Sequence, residues 1–176
     1  MKTLVRKATN KDLPNLMVFM EGLVNAERPM DSTINEGRVV YYDLSEIIKN
    51  KNSILFVVEL NNELVASGYA KIKKNKHYIK YAKQGYLGFM YVPENHRGNG
   101  YNKLIMDALL KWCQAKGVFE IRLDVYDQNR STIRAYEKAG MLKHLINMRM
   151  NIKDLNIFIY SYISIIHLLC LYLVTK

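Results

Sequence analysis

The chain has 176 residues, of which 49% are hydrophobic and 24% are charged, as is typical of a soluble globular protein with a well-formed core. Its formal net charge of +10 indicates an anionic partner: nucleic acid, a membrane surface or a phosphate-rich cofactor. The two cysteines, Cys113 and Cys170, lie far apart, which argues against a disulfide framework and favours a reducing, cytoplasmic compartment. Neither they nor the four histidines show metal-ligand spacing, so no metal site is expected.

The N-terminal half alternates strand and helix patterns. A short strand comes first, and apolar residues at helical spacing, preceded by the capping pair Thr9-Asn10, then predict an amphipathic helix. A polar segment and a short helix follow, and two apolar stretches predict a hairpin that turns at Asn61-Asn62. The predicted strand, helix, short helix and paired strands cover residues 3–8, 11–26, 44–49, 54–60 and 64–72.

The C-terminal half adds three strands and two helices. The first of these strands ends at Pro93, and a helix with apolar residues at i, i+3, i+4 and i+7 follows two glycines. A strand with alternating apolar residues, a helix that ends at Gly140 and a last strand complete the order. These elements cover residues 86–92, 100–116, 120–126, 130–139 and 142–152. The order predicts an α+β fold around a mixed sheet.

The sequence HRGNGYNKLI, residues 96–105, places two glycines where the long helix begins. The free N–H groups of a first helical turn and the helix dipole favour an anion there. Glycine removes the Cβ that would keep a ligand away from the backbone, so a phosphate or pyrophosphate is expected. The segment is not a Walker A loop, because Tyr101-Asn102 follows Gly100 where that loop has Lys-Ser/Thr. It also lacks the third glycine of a dinucleotide fingerprint, whose place Lys103 occupies.

Two longer stretches resemble a known family. YVPENHRGNGYNKLIMDALL, residues 91–110, resembles motif A of the GNAT N-acetyltransferase superfamily, whose loop has the form Gln/Arg-x-x-Gly-x-Gly/Ala. DVYDQNRSTIRAYEKAGM, residues 124–141, resembles motif B, and VRKATNKDLPNL resembles the usual first strand and helix start. Two departures are visible: Asn102 replaces the last Gly/Ala of motif A, and one additional residue separates Pro93 from Arg97.

The resemblance covers residues 1–152 and implies the GNAT fold, a central mixed, mostly antiparallel sheet flanked by helices. It implies an acyltransferase that moves an acetyl group from acetyl-CoA to a primary amine by direct attack on the thioester. Backbone N–H groups of the glycine turn would hold the pyrophosphate, the strand before it would pair with the pantetheine arm, and an N–H near Met90 would stabilise the oxyanion. The residues implied to contact the cofactor are Met90, Tyr91, Val92, Arg97, Gly98, Asn99, Gly100, Tyr101, Asn102 and Asn129.

The same resemblance implies roles in catalysis. Tyr136 matches the motif B tyrosine that protonates the departing thiolate, although a packing tyrosine would show the same pattern. Asn129 is either a cofactor contact, an N-cap, or both. Many relatives carry a glutamate base in the central strand, but YLGFMYV contains no acid. Asp124 and Glu94 lie nearby, yet each could be a solvated charge, and a chain of water molecules would also serve, so the base stays unassigned.

The loop after the first helix lies over the amine site in this family. Here it contains Glu27, Arg28 and Asp31, which would suit a cationic amine or pair with an acceptor carboxylate; a solvated loop is the alternative. The lysine run over residues 71–83 is typical of a solvated face, with attraction of an acidic acceptor or of nucleic acid as the alternative. It has no base-stacking pattern of aromatic residues and arginines, so nucleic acid is not expected as a partner. The rival function is a catalytically silent GNAT-like module that binds acyl-CoA or nucleic acid.

Residues 153–176 form an apolar C-terminal segment beyond the family's usual fold. From Ile157 to Val174 the segment has no formal charge, and about 20 apolar residues are needed to span a bilayer as a helix. A membrane anchor, a segment that packs on the domain or on a second copy in a homodimer, and an accidental extension all fit. The lone flanking charges give little orientation signal, so the anchor is not favoured.

Overall fold

The computed structural model describes residues 3–153. The strands are β1 (Thr3–Lys7), β2 (Ser53–Leu60), β3 (Glu63–Lys74), β4 (Lys83–Tyr91) and β5 (Ile121–Arg122). The helices are α1 (Leu13–Glu27), α2 (Leu44–Lys49), α3 (Tyr101–Ala115) and α4 (Arg130–Lys138). Residues 3–141 belong to one compact unit, and residues 142–153 belong to a second.

The strands form one sheet in the order β1-β2-β3-β4-β5. The first three pairings are antiparallel, whereas β4 and β5 run parallel. The predicted α+β fold with a mixed, mostly antiparallel sheet is therefore confirmed. The predicted hairpin turn also forms, with φ values of 48° at Asn61 and 69° at Asn62. Asparagine tolerates this left-handed conformation better than most residues.

Apolar side chains cover both faces of the sheet. Alternate residues of β2 point to opposite faces, so Leu55 and Val57 meet α1 and α2 on one side while Val58 meets α3 and α4 on the other. In α1 and α3 the apolar residues recur at helical spacing, so each helix packs one apolar face against the sheet. The buried residues of α1 are Leu16, Phe19, Met20 and Val24, and those of α3 are Ile105, Met106, Leu109 and Cys113.

An ionic network joins β1 to the start of α1. The Arg6 guanidinium lies 2.8 Å from Asp12 Oδ1 and 2.7 Å from Glu59 Oε2. Asp12 is buried and also accepts a hydrogen bond from the backbone N–H of Thr9 at 2.7 Å. Hydrogen bonds from Arg6 lower the pKa of Asp12 to about 2 against the opposing effect of burial.

The last predicted strand is wrong. Residues 142–151 have no regular secondary structure, and their apolar side chains are exposed, Leu142 by 89% and Met148 by 84%. An apolar pattern allows a segment to cover one face of a sheet. A strand also needs a neighbouring strand that forms hydrogen bonds with its backbone N–H and C=O groups. The apolar tail lies almost entirely outside the described residues, and among those that are described no helix has the length and hydropathy of a membrane span.

Candidate functional site

A β-bulge interrupts β4 just before the strand ends. Ser67 of β3 pairs with Tyr91, and Tyr69 pairs with Gly88, so one residue of β3 faces two residues of β4, Phe89 and Met90. Phe89 takes a left-handed conformation with φ 54°, which is uncommon for a bulky residue. The completely buried hydroxyl of Ser67 donates a hydrogen bond to the Phe89 carbonyl oxygen at 3.2 Å. The bulge therefore redirects the backbone at Met90 and Tyr91.

The opposite edge of β4 is paired over a very short length. Its ladder with β5 contains only Gly85 with Ile121 and Tyr86 with Arg122. Beyond Tyr86, residues of β4 have no ladder partner on this side in the described part of the chain, although the Tyr86 hydroxyl still donates to Asp124 Oδ2 at 2.7 Å. The predicted strand over residues 120–126 is accordingly only two residues long. This separation leaves backbone groups of β4 open beside the bulge.

Glycines in β4 serve packing rather than the bulge itself. A Cβ on Gly88 would lie 2.6 Å from the ring of Tyr69, and a Cβ on Gly85 would lie 2.7 Å from the sulfur of Cys113. Two glycines within one strand are consistent with a locally irregular backbone. The irregularity lies one residue further on, at Phe89, which the sequence did not single out.

The glycine turn forms at the N-terminus of α3. Gly98 and Gly100 both adopt left-handed φ values, 81° and 78°, and no atom lies within 4 Å of the space that a Cβ would fill. Gly100 is the N-cap, and the first turn of α3 has no acidic side chain. The backbone N–H groups of residues 98–102 donate to no acceptor among residues 3–153. The turn thus offers several free donors to an anion at the positive end of a helix.

The loop before this turn is braced by its own hydrogen bonds. The additional residue between Pro93 and Arg97 is accommodated by a short 3-10 helix, Glu94–His96, closed by the His96 N–H to the Pro93 carbonyl at 2.9 Å. The Arg97 Nε donates to the Val92 carbonyl at 3.3 Å. The Arg97 side chain remains 52% exposed, so its guanidinium is accessible to a ligand at the turn.

Helix α4 carries the two predicted motif B residues. Asn129 is its N-cap, since its side-chain oxygen accepts from the Thr132 N–H at 3.2 Å, which confirms the capping role. Tyr136 is 8% exposed within the core on the α3 side, and its hydroxyl donates no hydrogen bond within the described residues. Burial raises the pKa of Tyr136, and the charge of Glu27 raises it further.

The loop after α1 is ordered by polar contacts. Asp31 accepts hydrogen bonds from the Thr33 N–H at 2.9 Å and from the Tyr126 hydroxyl at 3.1 Å, which ties this loop to the segment after β5. The Arg28 guanidinium donates to the carbonyls of Asn35 and Gly37, each at 2.5 Å. Arg28 therefore holds the shape of its own loop.

Glu27 is the last residue of α1 and lies half-buried among tyrosines. Burial raises the pKa of the Glu27 carboxyl, while interaction with the Tyr41 hydroxyl opposes that rise. Its charge in turn raises the pKa values of Tyr41, Tyr42, Tyr126 and Tyr136, so all four lie within its electrostatic reach. The cluster is acidic and aromatic, a combination that favours a cation.

Four residues of this site were missed from the sequence. Ser67 lies in an ordinary apolar strand pattern, and Tyr126 is the last residue of another predicted strand. Tyr41 and Tyr42 precede the short helix in a segment without a periodic pattern, where the adjacent pair of aromatic residues was the only available signal. The Tyr42 ring packs 5.1 Å from that of Tyr69 and 6.0 Å from that of Phe89, which joins the cluster to the bulge.

Solved structures share this arrangement of strands and helices. A mutant form of the BH1408 protein from Bacillus halodurans matches with a TM-score of 0.77 and 21% identity, over 85% of this chain and 99% of that chain. A predicted acetyltransferase from Clostridium acetobutylicum, solved with acetyl-CoA, matches with a TM-score of 0.66 and 20% identity, over 87% of this chain and 98% of that chain. Glucosamine-6-phosphate N-acetyltransferase from Arabidopsis thaliana matches with a TM-score of 0.64 and 20% identity, over 86% of this chain and 99% of that chain. At these identities the likeness shows the fold.

Comparison of sequences gives the family itself. No curated protein sequence matches the chain significantly. The profile of the Acetyltransferase (GNAT) family matches residues 20–141, a range that runs from α1 through the glycine turn to the end of α4. The chain therefore belongs to the GNAT acetyltransferase family.

Proposed function

We propose that this protein transfers an acetyl group from acetyl-CoA to a primary amine in the cytoplasm. The observation that carries the proposal is the set of free N–H groups at residues 98–102, beside the unpaired edge of β4. A pyrophosphate fits the free N–H groups, and an extended pantetheine arm fits the unpaired strand edge. Acetyl-CoA contains both groups. The Clostridium acetobutylicum neighbour, solved with acetyl-CoA, supports the same cosubstrate.

The cofactor would lie along the end of β4 and across the glycine turn. Met90, Tyr91 and Val92 would pair with the pantetheine arm, since this edge has no strand partner among the described residues. Residues 98–102 would hold the pyrophosphate, with the half-exposed Arg97 guanidinium as an additional charge. Asn129 would contact the coenzyme with its amide while its side-chain oxygen caps α4.

The reaction would take place at the bulge. The amine nitrogen attacks the thioester carbon, the carbonyl oxygen becomes an oxyanion, and the Met90 N–H stabilises that charge. The C–S bond then breaks, and Tyr136 donates its hydroxyl proton to the departing thiolate. The raised pKa of Tyr136 keeps this phenol protonated at neutral pH, as a proton donor requires.

The acceptor would be a cationic amine that enters beneath the loop after α1. Glu27 and Asp31 bring negative charge to this side, and the neighbouring tyrosine rings attract cations through their faces. Arg28 would act by ordering the loop, because its guanidinium donates to two carbonyls of that loop. Small amines with a net positive charge should therefore be better acceptors than amino acids with a free carboxylate.

A thiol-release screen tests the proposal. Acetyl-CoA and the full chain are incubated with a panel of amines, and free CoA thiol is measured together with the acetylated product. We expect amine-dependent thiol release with at least one cationic amine. The rival, a silent module, predicts a rise in melting temperature with CoA and no thiol release with any amine.

A further inference from the structure

The acceptor amine carries a proton that must leave before its nitrogen can attack. At neutral pH most primary amines are ammonium ions, whose nitrogen has no lone pair for the thioester carbon. We propose that the Glu27 carboxylate, at the end of α1, is the general base that removes this proton. The inference rests on the acetyl transfer proposed above and assigns the role that the central strand leaves vacant, because β4 contains no acidic residue.

Other carboxylates near the site are less suited to this role. Asp124 is exposed and accepts a hydrogen bond from the Tyr86 hydroxyl at 2.7 Å. The Glu94 side chain is 91% exposed and lies 3.9 Å from the Arg97 guanidinium. Asp31 already accepts hydrogen bonds from Thr33 and Tyr126. Each of these carboxylates therefore faces solvent or already has polar partners, whereas a base has to be available to bind the ammonium group of the acceptor.

Glu27 differs in its surroundings. It is half-buried and forms no ion pair in the part of the chain that the structure describes. The Tyr41 hydroxyl lies near enough to affect the pKa of the Glu27 carboxyl, yet its oxygen is buried and makes no well-formed hydrogen bond among the described residues, so a polar group of a ligand would satisfy it. A donor that bridges Tyr41 and Glu27, such as an ammonium, fits this pair.

The position of Glu27 also relates it to the reacting groups. Its charge acts on Tyr42, whose ring packs 6.0 Å from that of Phe89 at the bulge. The charge of Glu27 also raises the pKa of Tyr136, the proposed proton donor on α4. The carboxylate thus lies in the same cluster as the oxyanion site and the acid, as a base for the attacking nitrogen must.

The proton balance can be followed through the reaction. The ammonium gives one proton to Glu27, and the resulting amine forms the new C–N bond. As the C–S bond breaks, Tyr136 gives its proton to the sulfur and recovers one from the nitrogen. The amide keeps the third proton, and Glu27 releases its proton to solvent. One ammonium and one thioester give one amide, one thiol and one free proton.

Burial strengthens Glu27 as a base. By disfavouring the charged form it raises the pKa of the carboxyl, which brings the base closer to neutral pH. The groups that face it from the neighbouring segments, Tyr41, Tyr42, Tyr126 and Tyr136, all have raised pKa values and stay neutral over the same range. Glu27 is therefore the group of this cluster whose charge changes first as the pH falls.

The test is the pH profile of the full-length Glu27→Gln variant. We expect kcat to fall roughly 100- to 10,000-fold at neutral pH. The remaining rate should rise about tenfold per pH unit, because only the amine that is already neutral reacts. A weakly basic amine, neutral at the assay pH, should lose far less activity. Glu27→Asp, which keeps a carboxylate, should retain the flatter wild-type profile.

Controls separate the possible outcomes. Glu21→Gln makes the same change at an exposed position earlier on α1 and should behave as the wild type. An unchanged CoA-dependent rise in melting temperature shows that the Glu27 variants are folded. A raised amine KM with unchanged kcat, or an unchanged pH profile, would overturn the inference while the transferase function stands. Wild-type protein that is inactive with every amine would instead overturn the proposed function.

Discussion

The hydroxyl of Ser67, completely buried in β3, donates a hydrogen bond to the carbonyl oxygen of Phe89 at 3.2 Å. Phe89 is the left-handed residue of the β4 bulge, and the next N–H along the chain belongs to Met90. A strained backbone persists only where its surroundings hold it. The contact between Ser67 and Phe89 therefore helps fix the direction of the N–H group to which we assign the oxyanion.

We predict that Ser67→Ala lowers kcat by on the order of 10- to 100-fold, because a small misplacement of reacting groups is costly. The loss of a buried hydrogen bond should lower the free energy of unfolding by about 1–2 kcal/mol. Ser53→Ala is the matched control, since the buried Ser53 hydroxyl donates to the Ile47 carbonyl at 2.9 Å, away from the bulge. It should lose similar stability but keep its turnover. Equal kcat in both variants would remove Ser67 from the mechanism.

Tyr136 provides a second prediction. Tyr136→Phe keeps the buried ring and removes only the hydroxyl, which has no partner among the described residues. Stability and CoA affinity should change little, while kcat falls roughly 10- to 1000-fold. Steady-state kinetics together with CoA-dependent melting curves measure both. Unchanged turnover would leave Tyr136 as a packing residue of α4.

The pair of Arg6 and Asp12 predicts how stability depends on pH. The pKa of Asp12 is lowered from 3.8 to about 2 in the folded state, so the folded protein holds the ionised form more strongly than the unfolded chain does. This contribution is fully present above pH ~4 and is lost as the pH falls toward ~2.

Urea denaturation at several pH values measures this effect. Asp12→Asn should lower the free energy of unfolding at pH 7 by about 1–3 kcal/mol and flatten its decline below pH ~4. The control is Asp107→Asn, which breaks an exposed i,i+4 contact with Lys103 on α3 and should have little effect. If the free energy of unfolding of Asp12→Asn fell equally steeply below pH ~4, the loss of stability in acid would be due to other carboxylates.

The C-terminal tail gives a prediction about domain limits. We propose residues 1–152 as the catalytic domain and residues 153–176 as an accessory or accidental segment. Truncation after Ile152 should leave a folded protein that binds CoA and aggregates less, because a long apolar segment is removed. Circular dichroism and CoA-dependent melting curves check this outcome. A truncated protein that does not fold would assign the tail to the core.

Local patterns made much of the fold predictable. The Asn61-Asn62 turn follows from the tolerance of asparagine for positive φ, and α1 and α3 follow from apolar spacing that buries one face of each helix. The glycine turn was also predictable, because glycine before a helix permits the left-handed conformation that Gly98 and Gly100 adopt. These features depend on neighbours in the sequence.

Features that depend on distant partners were not predictable in the same way. The predicted strand over residues 142–152 has an apolar pattern but no paired neighbour among residues 3–153, and β5 ends early because β4 diverges from it after two pairs. The cluster around Glu27 is assembled from α1, the segment before α2 and α4. No single stretch of sequence contains the spacing of this cluster, so Ser67 carried no signal of its position, and the only signal at Tyr41 was its adjacent aromatic partner Tyr42.

The binding of CoA by the glycine turn is measured by melting curves of four proteins with and without CoA. The wild type should be stabilised by about 2.7 kcal/mol when CoA is present at ~100 times its dissociation constant. Gly100→Asp and Gly100→Asn place side chains of similar size in the same open space, and both tolerate the left-handed conformation better than most residues. Only the aspartate adds a negative charge beside the pyrophosphate.

Gly117→Asp, at the other end of α3, controls for the strain of a charged residue at a left-handed position, since Gly117 has φ 70°. We predict that Gly100→Asp loses most of the CoA-dependent stabilisation, that Gly100→Asn loses part of it, and that Gly117→Asp keeps it. If Gly100→Asp retained the wild-type rise in melting temperature, CoA would bind elsewhere, and the site described above would be wrong.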